Sequence, residues 1–349
     1  MLLIDEQIPL LTDMFSSVDT VRTFDGRLLT RDDLVRYRAT GLFVRSTTRV
    51  DRALLEGTRV SFVASATSGT DHIDHEALAD LGITVVSAHG SNANAVAEYV
   101  VTAVIYDGID LTHATVGVVG FGAVGMLVTQ YLERLGARVI IYDPVRLAYD
   151  ASIQDRHVPL DELLQTADII SLHPSLHTDD PYPSFHLLNN TNAGLVRDDV
   201  LVINTSRGDV CSPQAIDILL ARPNGRLVLD VFPGEPLPLP AHVQGCLIAT
   251  PHVAGYTSNA KDQGALEVAT AYILEAGLPM TLLDRVQTDD DDAVDIPWDV
   301  DALAELLLER RPIDLDAEAF VKAYLAAPTA ATFDAARKNY PLRSETLHG

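Results

Sequence analysis

Residues Thr115–Leu135 read TVGVVGFGAVGMLVTQYLERL and decide the fold of this chain. The first five, Thr115–Val119, are a short apolar run rich in β-branched side chains, which is typical of a buried parallel strand. Apolar residues then recur at helical spacing over Met126–Leu135. Between the two patterns lies the turn Gly120–Gly125, which reads GFGAVG. The stretch therefore predicts a strand, a glycine-rich turn and a helix.

The three glycines of this turn have separate tasks in dinucleotide binding. Gly120 permits a tight turn, Gly122 lets the backbone approach a pyrophosphate, and Gly125 lets the helix pack closely on the strand. A pyrophosphate would bind at the N-terminus of the helix, where unpaired N–H groups point outward. The turn therefore predicts a dinucleotide cofactor.

An acidic residue at the end of the next apolar run indicates which dinucleotide binds. The run Val139–Tyr142 is followed by Asp143, at the spacing expected of a carboxylate that accepts a hydrogen bond from the ribose 2′-hydroxyl. The same carboxylate would repel a 2′-phosphate, which favours NAD over NADP. Arg146 lies close enough in sequence to leave the NADP alternative open.

Alternating apolar runs on both sides of the turn predict an α/β protein of two domains. The runs before the turn are Leu2–Ile4, Leu42–Val44, Val60–Val63 and Ile83–Val86. The runs after Asp143 are Ile169–Ile170, Leu201–Ile203, Leu227–Leu229 and Leu247–Ala249. A long helix is predicted over 260–276, returning to the first domain and making it discontinuous. The acidic run Asp289–Asp292 predicts a solvated linker, followed by helices over 300–309 and 318–325.

Composition narrows the possible partners and compartments. The 349 residues carry a net charge of −24, so we expect neither nucleic acid nor an anionic membrane as a partner. Only Lys261, Lys322 and Lys338 are lysines, and an acidic, lysine-poor surface suggests adaptation to high salt. No signal peptide or membrane span is predicted, and Cys211 and Cys246 give no disulfide framework, so we expect a cytoplasmic protein.

Three polar side chains follow successive predicted strands, where the catalytic groups of parallel sheets gather. They are Arg207, Glu235 and His252. Oxidation of a 2-hydroxy acid needs a base for the hydroxyl proton, and histidine is suited to that task. A carboxylate on the other ring nitrogen would fix the tautomer, and an arginine can bind the substrate carboxylate in a bidentate manner. The pattern predicts a dehydrogenase of 2-hydroxy acids.

Three segments around these side chains resemble the signature of the D-isomer-specific 2-hydroxyacid dehydrogenases. They are Asn204–Gly208 (NTSRG), Asp230–Pro236 (DVFPGEP) and Thr250–His252 (TPH). The resemblance implies a Rossmann NAD-binding domain at 95–257, a flavodoxin-like substrate domain at 1–94 and 258–286, and a small C-terminal α+β dimerisation segment at 287–349. It also implies a homodimer.

Further matches resemble those members of the family that oxidise 4-phospho-D-erythronate on the way to pyridoxal 5′-phosphate. The segments that carry this likeness are Val44–Ser46, Ala66–His72, Ala254–Thr257 and Phe333–Tyr340. The resemblance makes His252 the proton donor and acceptor, with Arg207 and Glu235 as the other active-site residues. It makes Ser46, Thr67 and Tyr256 substrate ligands, and Asp143, Asp230 and Gly255 cofactor ligands, with Ser175 in place of a family threonine. A phosphate needs a cation, for which Arg45 is the first candidate and Arg343 a weaker one.

One further departure from the family pattern, two histidine pairs and two rival functions bear on this interpretation. The chain has Ser212-Pro213 where the family has an acidic helix cap, and serine before proline is an equivalent helix start. The pairs His72 with His75 and His173 with His177 lack an obvious third ligand, so no metal is expected. The rivals are another dehydrogenase of the family, acting on phosphoglycerate or hydroxypyruvate, and an NAD-sensing binding protein without turnover.

Overall fold

The computed structural model describes residues 1–285 and 296–347 of the chain, so the linker predicted at Asp289–Asp292 lies outside the described residues. The described residues divide into two compact units. Unit 1 contains Met1–Asn92 and residues 256–285, and unit 2 contains Ala93–Gly255 and residues 296–347.

Within the described residues the strands are short, and those that pair do so in parallel within two separate sheets. They are β1 (Leu2–Asp5), β2 (Val21–Phe24), β3 (Gly41–Val44), β4 (Phe62–Ser65), β5 (Thr84–Ser87), β6 (Thr115–Val119), β7 (Arg138–Tyr142), β8 (Ile169–Leu172), β9 (Leu201–Asn204), β10 (Arg226–Leu229) and β11 (Ile248–Ala249).

Helices connect most of these strands and continue beyond the last one. They are α1 (Leu11–Phe15), α2 (Arg31–Tyr37), α3 (Arg52–Leu55), α4 (His75–Asp80), α5 (Ala93–Asp107), α6 (Ala123–Arg134), α7 (Pro144–Leu147), α8 (Leu160–Thr166), α9 (Pro213–Leu220), α10 (Pro240–Gly245), α11 (Ser258–Glu275), α12 (Val300–Arg310), α13 (Ile313–Ala326) and α14 (Ala330–Lys338). Among the described residues, none of these helices has the length and apolar character to cross a membrane.

Unit 1 is a five-stranded parallel sheet in the order β2-β1-β3-β4-β5, which is the flavodoxin-like order. Helix α11 packs on this sheet through Ala265, Val268 and Ala269, and Tyr272 meets the ring of Phe43 edge to face. The long helix predicted over 260–276 is therefore confirmed. Strand β2 was not predicted, because it is an edge strand whose side chains are half-buried or exposed.

Unit 2 is a six-stranded parallel sheet in the order β11-β10-β9-β8-β6-β7. The strand order reverses between β6 and β8, and in such sheets ligands bind beyond the carboxyl ends of the strands at this point. Strands β9, β10 and β11 are neighbours, so the residues that follow them meet at one sheet edge. The predicted α/β fold with a Rossmann sheet is confirmed.

Residues 296–347 pack within unit 2. The ring of Trp298 stacks on Tyr131 of α6, and Phe320 and Phe333 lie in the core beneath the sheet. The named elements of this segment are the helices α12, α13 and α14, so the strand that an α+β segment would contain is not found among its described residues. Helix α14 was not predicted from the sequence, because it buries little beyond Phe333.

Candidate active site

The glycine turn after β6 has the shape that a dinucleotide needs. Gly120 has a φ of 86°, a conformation that residues with a Cβ rarely adopt, and a Cβ on Gly125 would overlap the Gly120 carbonyl oxygen. A Cβ built on Gly122 meets nothing within 4 Å among the described residues, so the backbone there is open to a ligand. Gly122 caps α6 without a side-chain hydrogen bond, which leaves the first helical N–H groups available for phosphate oxygens. The turn fits a pyrophosphate.

Asp143 is placed at the carboxyl end of β7, where the predicted ribose contact would occur. Its Oδ2 accepts a hydrogen bond from the Phe121 N–H at 2.7 Å, and its Oδ1 accepts one from the Arg146 N–H at 2.8 Å. These bonds orient the carboxylate beside the glycine turn. The Arg146 side chain donates through Nε to Asp150 Oδ2 at 2.8 Å.

His252 and Glu235 form the pair that the strand-end argument predicts. The ring Nδ1 of His252 lies 2.8 Å from Glu235 Oε2, and Glu235 Oε1 accepts the Phe232 N–H at 2.7 Å. Burial raises the pKa of Glu235, but the charge and hydrogen bond of His252 together with the Phe232 N–H outweigh it, so that the pKa lies below its usual value. Glu235 therefore stays ionised and holds the imidazole with Nδ1 as the donor, which leaves Nε2 to exchange a proton with a substrate.

The backbone around His252 is strained and held in place. His252 has a φ of 60°, which is unusual for a residue with a side chain. Asp230, which is 1% exposed, accepts the Val253 and Ala254 N–H groups at 2.7 and 2.9 Å. It also accepts the Thr250 hydroxyl at 2.7 Å. Any contact of Asp230 with a cofactor would add to these three bonds.

Arg207 begins the segment after β9, at the same sheet edge. Its half-buried side chain donates to the Ser206 carbonyl at 2.9 Å, and its own carbonyl accepts from the Asn204 amide at 2.9 Å. A Cβ on Gly208 would overlap the Phe232 backbone, so glycine is required for the Arg207 and Glu235 segments to approach each other. This close approach brings the Arg207–Gly208 backbone against that of Phe232, whose N–H donates to Glu235.

The predicted substrate ligands of unit 1 follow β3 and β4. Arg45 lies 3.0 Å through Nε from Oδ1 of Asp5, which is fully buried, and within the described residues this is its one side-chain partner. Thr67 Oγ1 lies 3.0 Å from Ser65 Oγ, which lies 3.2 Å from the His72 ring. Asp5 thus orients the Arg45 guanidinium and leaves its terminal nitrogens for an anion.

The other predicted residues are placed as follows. Ser46 is exposed, and Tyr256 is half-buried with the Lys261 ammonium 3.8 Å from its ring centroid. Gly255 is half-buried three residues after His252, and Ser175 is exposed beyond β8. The guanidinium of Arg343 is engaged by both oxygens of Asp316, at 2.7 and 2.9 Å, which weakens its candidacy as a phosphate ligand.

The histidine pairs considered as metal ligands include His72 and His173, whose rings each lie within hydrogen-bond distance of a serine hydroxyl. Among the described residues no group of three His, Cys, Asp or Glu side chains could hold a metal ion. His173 lies 2.8 Å from the Ser171 hydroxyl, and burial lowers its pKa to about 3. It is therefore a neutral structural histidine.

Sequence reasoning missed Arg311, which reaches the carbonyl groups of Val253 and Ala254 from the C-terminal segment. No local pattern could have found it, because a residue 57 or 58 positions from its partners leaves no periodic signal.

The chain is similar to known proteins over its whole length. A family model described as "D-isomer specific 2-hydroxyacid dehydrogenase, NAD binding domain" matches residues 84–254. A protein of Pseudomonas entomophila (strain L48) named erythronate-4-phosphate dehydrogenase is 37% identical and aligns over 98% of this chain and 91% of its own. A protein of Azotobacter vinelandii (strain DJ / ATCC BAA-1303) with the same name is also 37% identical, over 99% and 92%.

Solved structures share the fold. A protein from Thermus thermophilus has a TM-score of 0.67 at 25% identity, covering 80% of this chain and 98% of that one. An NAD⁺-bound 3-phosphoglycerate dehydrogenase of Entamoeba histolytica also has a TM-score of 0.67, at 22% identity, covering 79% and 95%.

Proposed function

Because this chain belongs to the D-isomer-specific 2-hydroxyacid dehydrogenase family and is similar from end to end to proteins named erythronate-4-phosphate dehydrogenase, we propose that it oxidises 4-phospho-D-erythronate. The product is 3-hydroxy-2-oxo-4-phosphooxybutanoate, a precursor of pyridoxal 5′-phosphate. The observation that carries the proposal is the His252–Glu235 pair at 2.8 Å beyond a Rossmann sheet.

His252 is the base in this reaction. Its Nε2 takes the proton of the C2 hydroxyl, while Nδ1 donates to the ionised Glu235, which stabilises the imidazolium that forms. Arg207 binds the substrate carboxylate and polarises the developing carbonyl oxygen. Bound NAD would accept the hydride from C2, that is, the hydrogen together with its bonding electron pair. In the reverse direction the protonated His252 returns the proton to the carbonyl oxygen.

The cofactor and the rest of the substrate have their own ligands. Gly120, Gly122, Gly125 and Asp143 would bind NAD, as would Ser175, Asp230 and Gly255 at the ends of β8, β10 and β11. Arg45 would bind the phosphate, because its terminal guanidinium nitrogens are oriented by Asp5 and the phosphate carries the charge that they complement. Ser46, Thr67 and Tyr256 would bind the substrate hydroxyls and the remaining phosphate oxygens.

We assign substrate recognition to residues 1–94 and 258–286, and cofactor binding to residues 95–257. Residues 287–349 would contribute to a homodimer. Cys211 and Cys246 are both free thiols, which is compatible with a cytoplasmic location. Light scattering of the purified protein measures the mass in solution and tests the dimer.

NADH formation by the purified protein in high KCl tests the substrate directly. We expect 4-phospho-D-erythronate to give a much higher kcat/KM than D-3-phosphoglycerate or D-glycerate at equal concentrations. A preference for D-3-phosphoglycerate would retain the mechanism and overturn the substrate. No turnover with any of the three acids would overturn the enzymatic proposal.

A further inference from the structure

Arg311 is a buried arginine that makes its hydrogen bonds next to the catalytic histidine. It is 4% exposed, and it donates to the carbonyl oxygens of Ala95 at 3.1 Å, Val253 at 3.3 Å and Ala254 at 2.8 Å. Val253 and Ala254 are the two residues that follow His252. The guanidinium therefore binds the backbone on which the His252 ring is mounted.

The peptide groups after His252 are held on both sides. Asp230 accepts the N–H groups of Val253 and Ala254, and Arg311 donates to the carbonyl oxygens of the same two residues. Arg311 is a charged donor in a buried setting, where hydrogen bonds to charge are strong, and Asp230 is a buried carboxyl group that accepts three hydrogen bonds. A strained φ such as that of His252 persists only where its surroundings enforce it, and the contacts of these two side chains with the following peptide groups contribute to that constraint.

An acidic side chain lies near Arg311 within the same core. Glu98 Oε1 lies 3.9 Å from the Arg311 guanidinium, and Glu98 Oε2 accepts the N–H groups of Thr346 and Leu347. Burial raises the pKa of Glu98 above its usual value, although Arg311 and these two N–H groups act in the opposite direction. The N–H groups of Thr346 and Leu347 thus bind Glu98, which lies at ion-pair distance from Arg311.

We propose that Arg311 is a positioning residue for the dehydrogenase reaction: it holds the His252–Ala254 backbone so that the His252 ring stays aligned with Glu235 and with the substrate hydroxyl. The proposal rests on the proposed function of His252. It makes the C-terminal segment part of the catalytic apparatus of the same chain, in addition to any part in dimerisation. An arginine is needed because one planar group must donate to two successive carbonyl oxygens.

The test compares Arg311→Met and Arg311→Lys with Arg226→Met. Arg226 is a suitable control because it pairs with Asp107, whose side chain is 2% exposed, at 2.9 Å, at the start of β10 rather than at its catalytic end. Arg226→Met therefore removes the partner of a buried acid in the same unit without touching the His252 backbone. The readouts are the melting temperature, the NAD dissociation constant, and kcat and KM at saturating NAD.

For Arg311→Met, assayed well below its melting temperature, we expect kcat to fall about 10- to 100-fold, since a small misplacement of a catalytic group costs up to about this factor. KM and the NAD dissociation constant should change much less. Arg311→Lys should regain part of kcat, because an ammonium can still donate to one or both carbonyl oxygens. Arg226→Met should lower the melting temperature and leave kcat unchanged.

A folded Arg311→Met protein with the kcat of the wild type would overturn the positioning role, as would an equal loss of kcat in Arg226→Met. The parent enzyme and His252→Ala are measured alongside. If the parent enzyme makes no NADH, or if His252→Ala retains its kcat, the proposed function itself has failed, and that result is distinguishable from a failure of the Arg311 proposal.

Discussion

The polar groups at the carboxyl ends of the strands in unit 2 are already bound to one another, whereas the predicted anion ligand of unit 1 is oriented and left open. His252 Nδ1, Glu235 and Asp230 all have partners within the chain. Arg45 has one side-chain partner within the described residues, Asp5, which holds Nε. The fold therefore already positions the proposed catalytic groups of unit 2, whereas Arg45 of unit 1 has terminal guanidinium nitrogens that a substrate phosphate would bind. Substrate preference should respond to changes in unit 1, and turnover to changes in unit 2.

Replacing His252 by Ala is the change with the largest expected effect. We expect kcat to fall about 10²- to 10⁴-fold, which is the usual contribution of a general base. The NAD dissociation constant should stay close to that of the parent enzyme. The matched control is His113→Ala, because the His113 side chain is 83% exposed and precedes the first residue of β6 rather than following the carboxyl end of a strand. Unchanged turnover in His252→Ala would contradict the assignment of the base.

Replacing Arg45 by Met tests whether this arginine of unit 1 binds the substrate phosphate. We expect KM for 4-phospho-D-erythronate to rise about 10- to 100-fold, because hydrogen bonds to charged groups contribute about 1.5–3 kcal/mol. The kcat/KM for unphosphorylated D-erythronate should change little. Arg49→Met is the control, since Arg49 is 85% exposed. An equal loss with both acids would show that Arg45 does not bind the phosphate.

Replacing Asp143 by Ala tests whether this carboxylate binds NAD and sets the preference for NAD over NADP. We expect the NAD dissociation constant to rise about tenfold, because a charge-assisted bond to a ribose hydroxyl is lost. The ratio of kcat/KM with NAD to that with NADP should fall. The dissociation constant and the two kcat/KM values are measured by cofactor titration of the purified protein. An unchanged ratio would show that Asp143 does not determine the preference for NAD over NADP.

Replacing His173 by Gln has the smallest expected effect, which is on the pH dependence of the free energy of unfolding. It distinguishes His173, which we expect to stay neutral, from His252, which exchanges a proton in the proposed reaction. Its folded pKa, about 3, lies below the value of about 6.5 expected when unfolded, so the unfolded chain binds more protons between these values. His173 therefore makes the free energy of unfolding fall as pH falls through this window. In His173→Gln the fall from about pH 7 to about pH 5 should be shallower, as urea titrations would measure. An unchanged slope would show that the pKa of His173 is not lowered in the folded chain.

The parts of the fold that the sequence predicts are those with a strong apolar pattern. Strands β8 to β11 were predicted because each is a run of buried aliphatic residues, and β2 was missed because its side chains, including Arg22, are half-buried or exposed. The helix start at Ser212 was also predicted, and the Ser212 hydroxyl accepts the Ala215 N–H at 3.1 Å.

The same distinction applies to the site. The His252–Glu235 contact follows from a rule of parallel sheets, which brings together residues at the carboxyl ends of neighbouring strands. The Asp5–Arg45 contact follows the same rule, because Asp5 ends β1 and Arg45 follows the neighbouring parallel strand β3. Arg311 follows no such rule, since it lies in the C-terminal segment and contacts Ala95 across 216 positions of sequence. Long-range positioning contacts of this kind become visible only in the folded chain.

The transfer of deuterium from C2 of the substrate tests the central claim most directly. The protein is incubated with NAD and 4-phospho-D-erythronate that carries deuterium at C2, and the NADH formed is analysed by mass spectrometry. Direct oxidation at C2 with hydride transfer to NAD predicts NADH that carries the deuterium. NADH without deuterium, or the absence of NADH while C2-deuterated substrate remains intact, would contradict it.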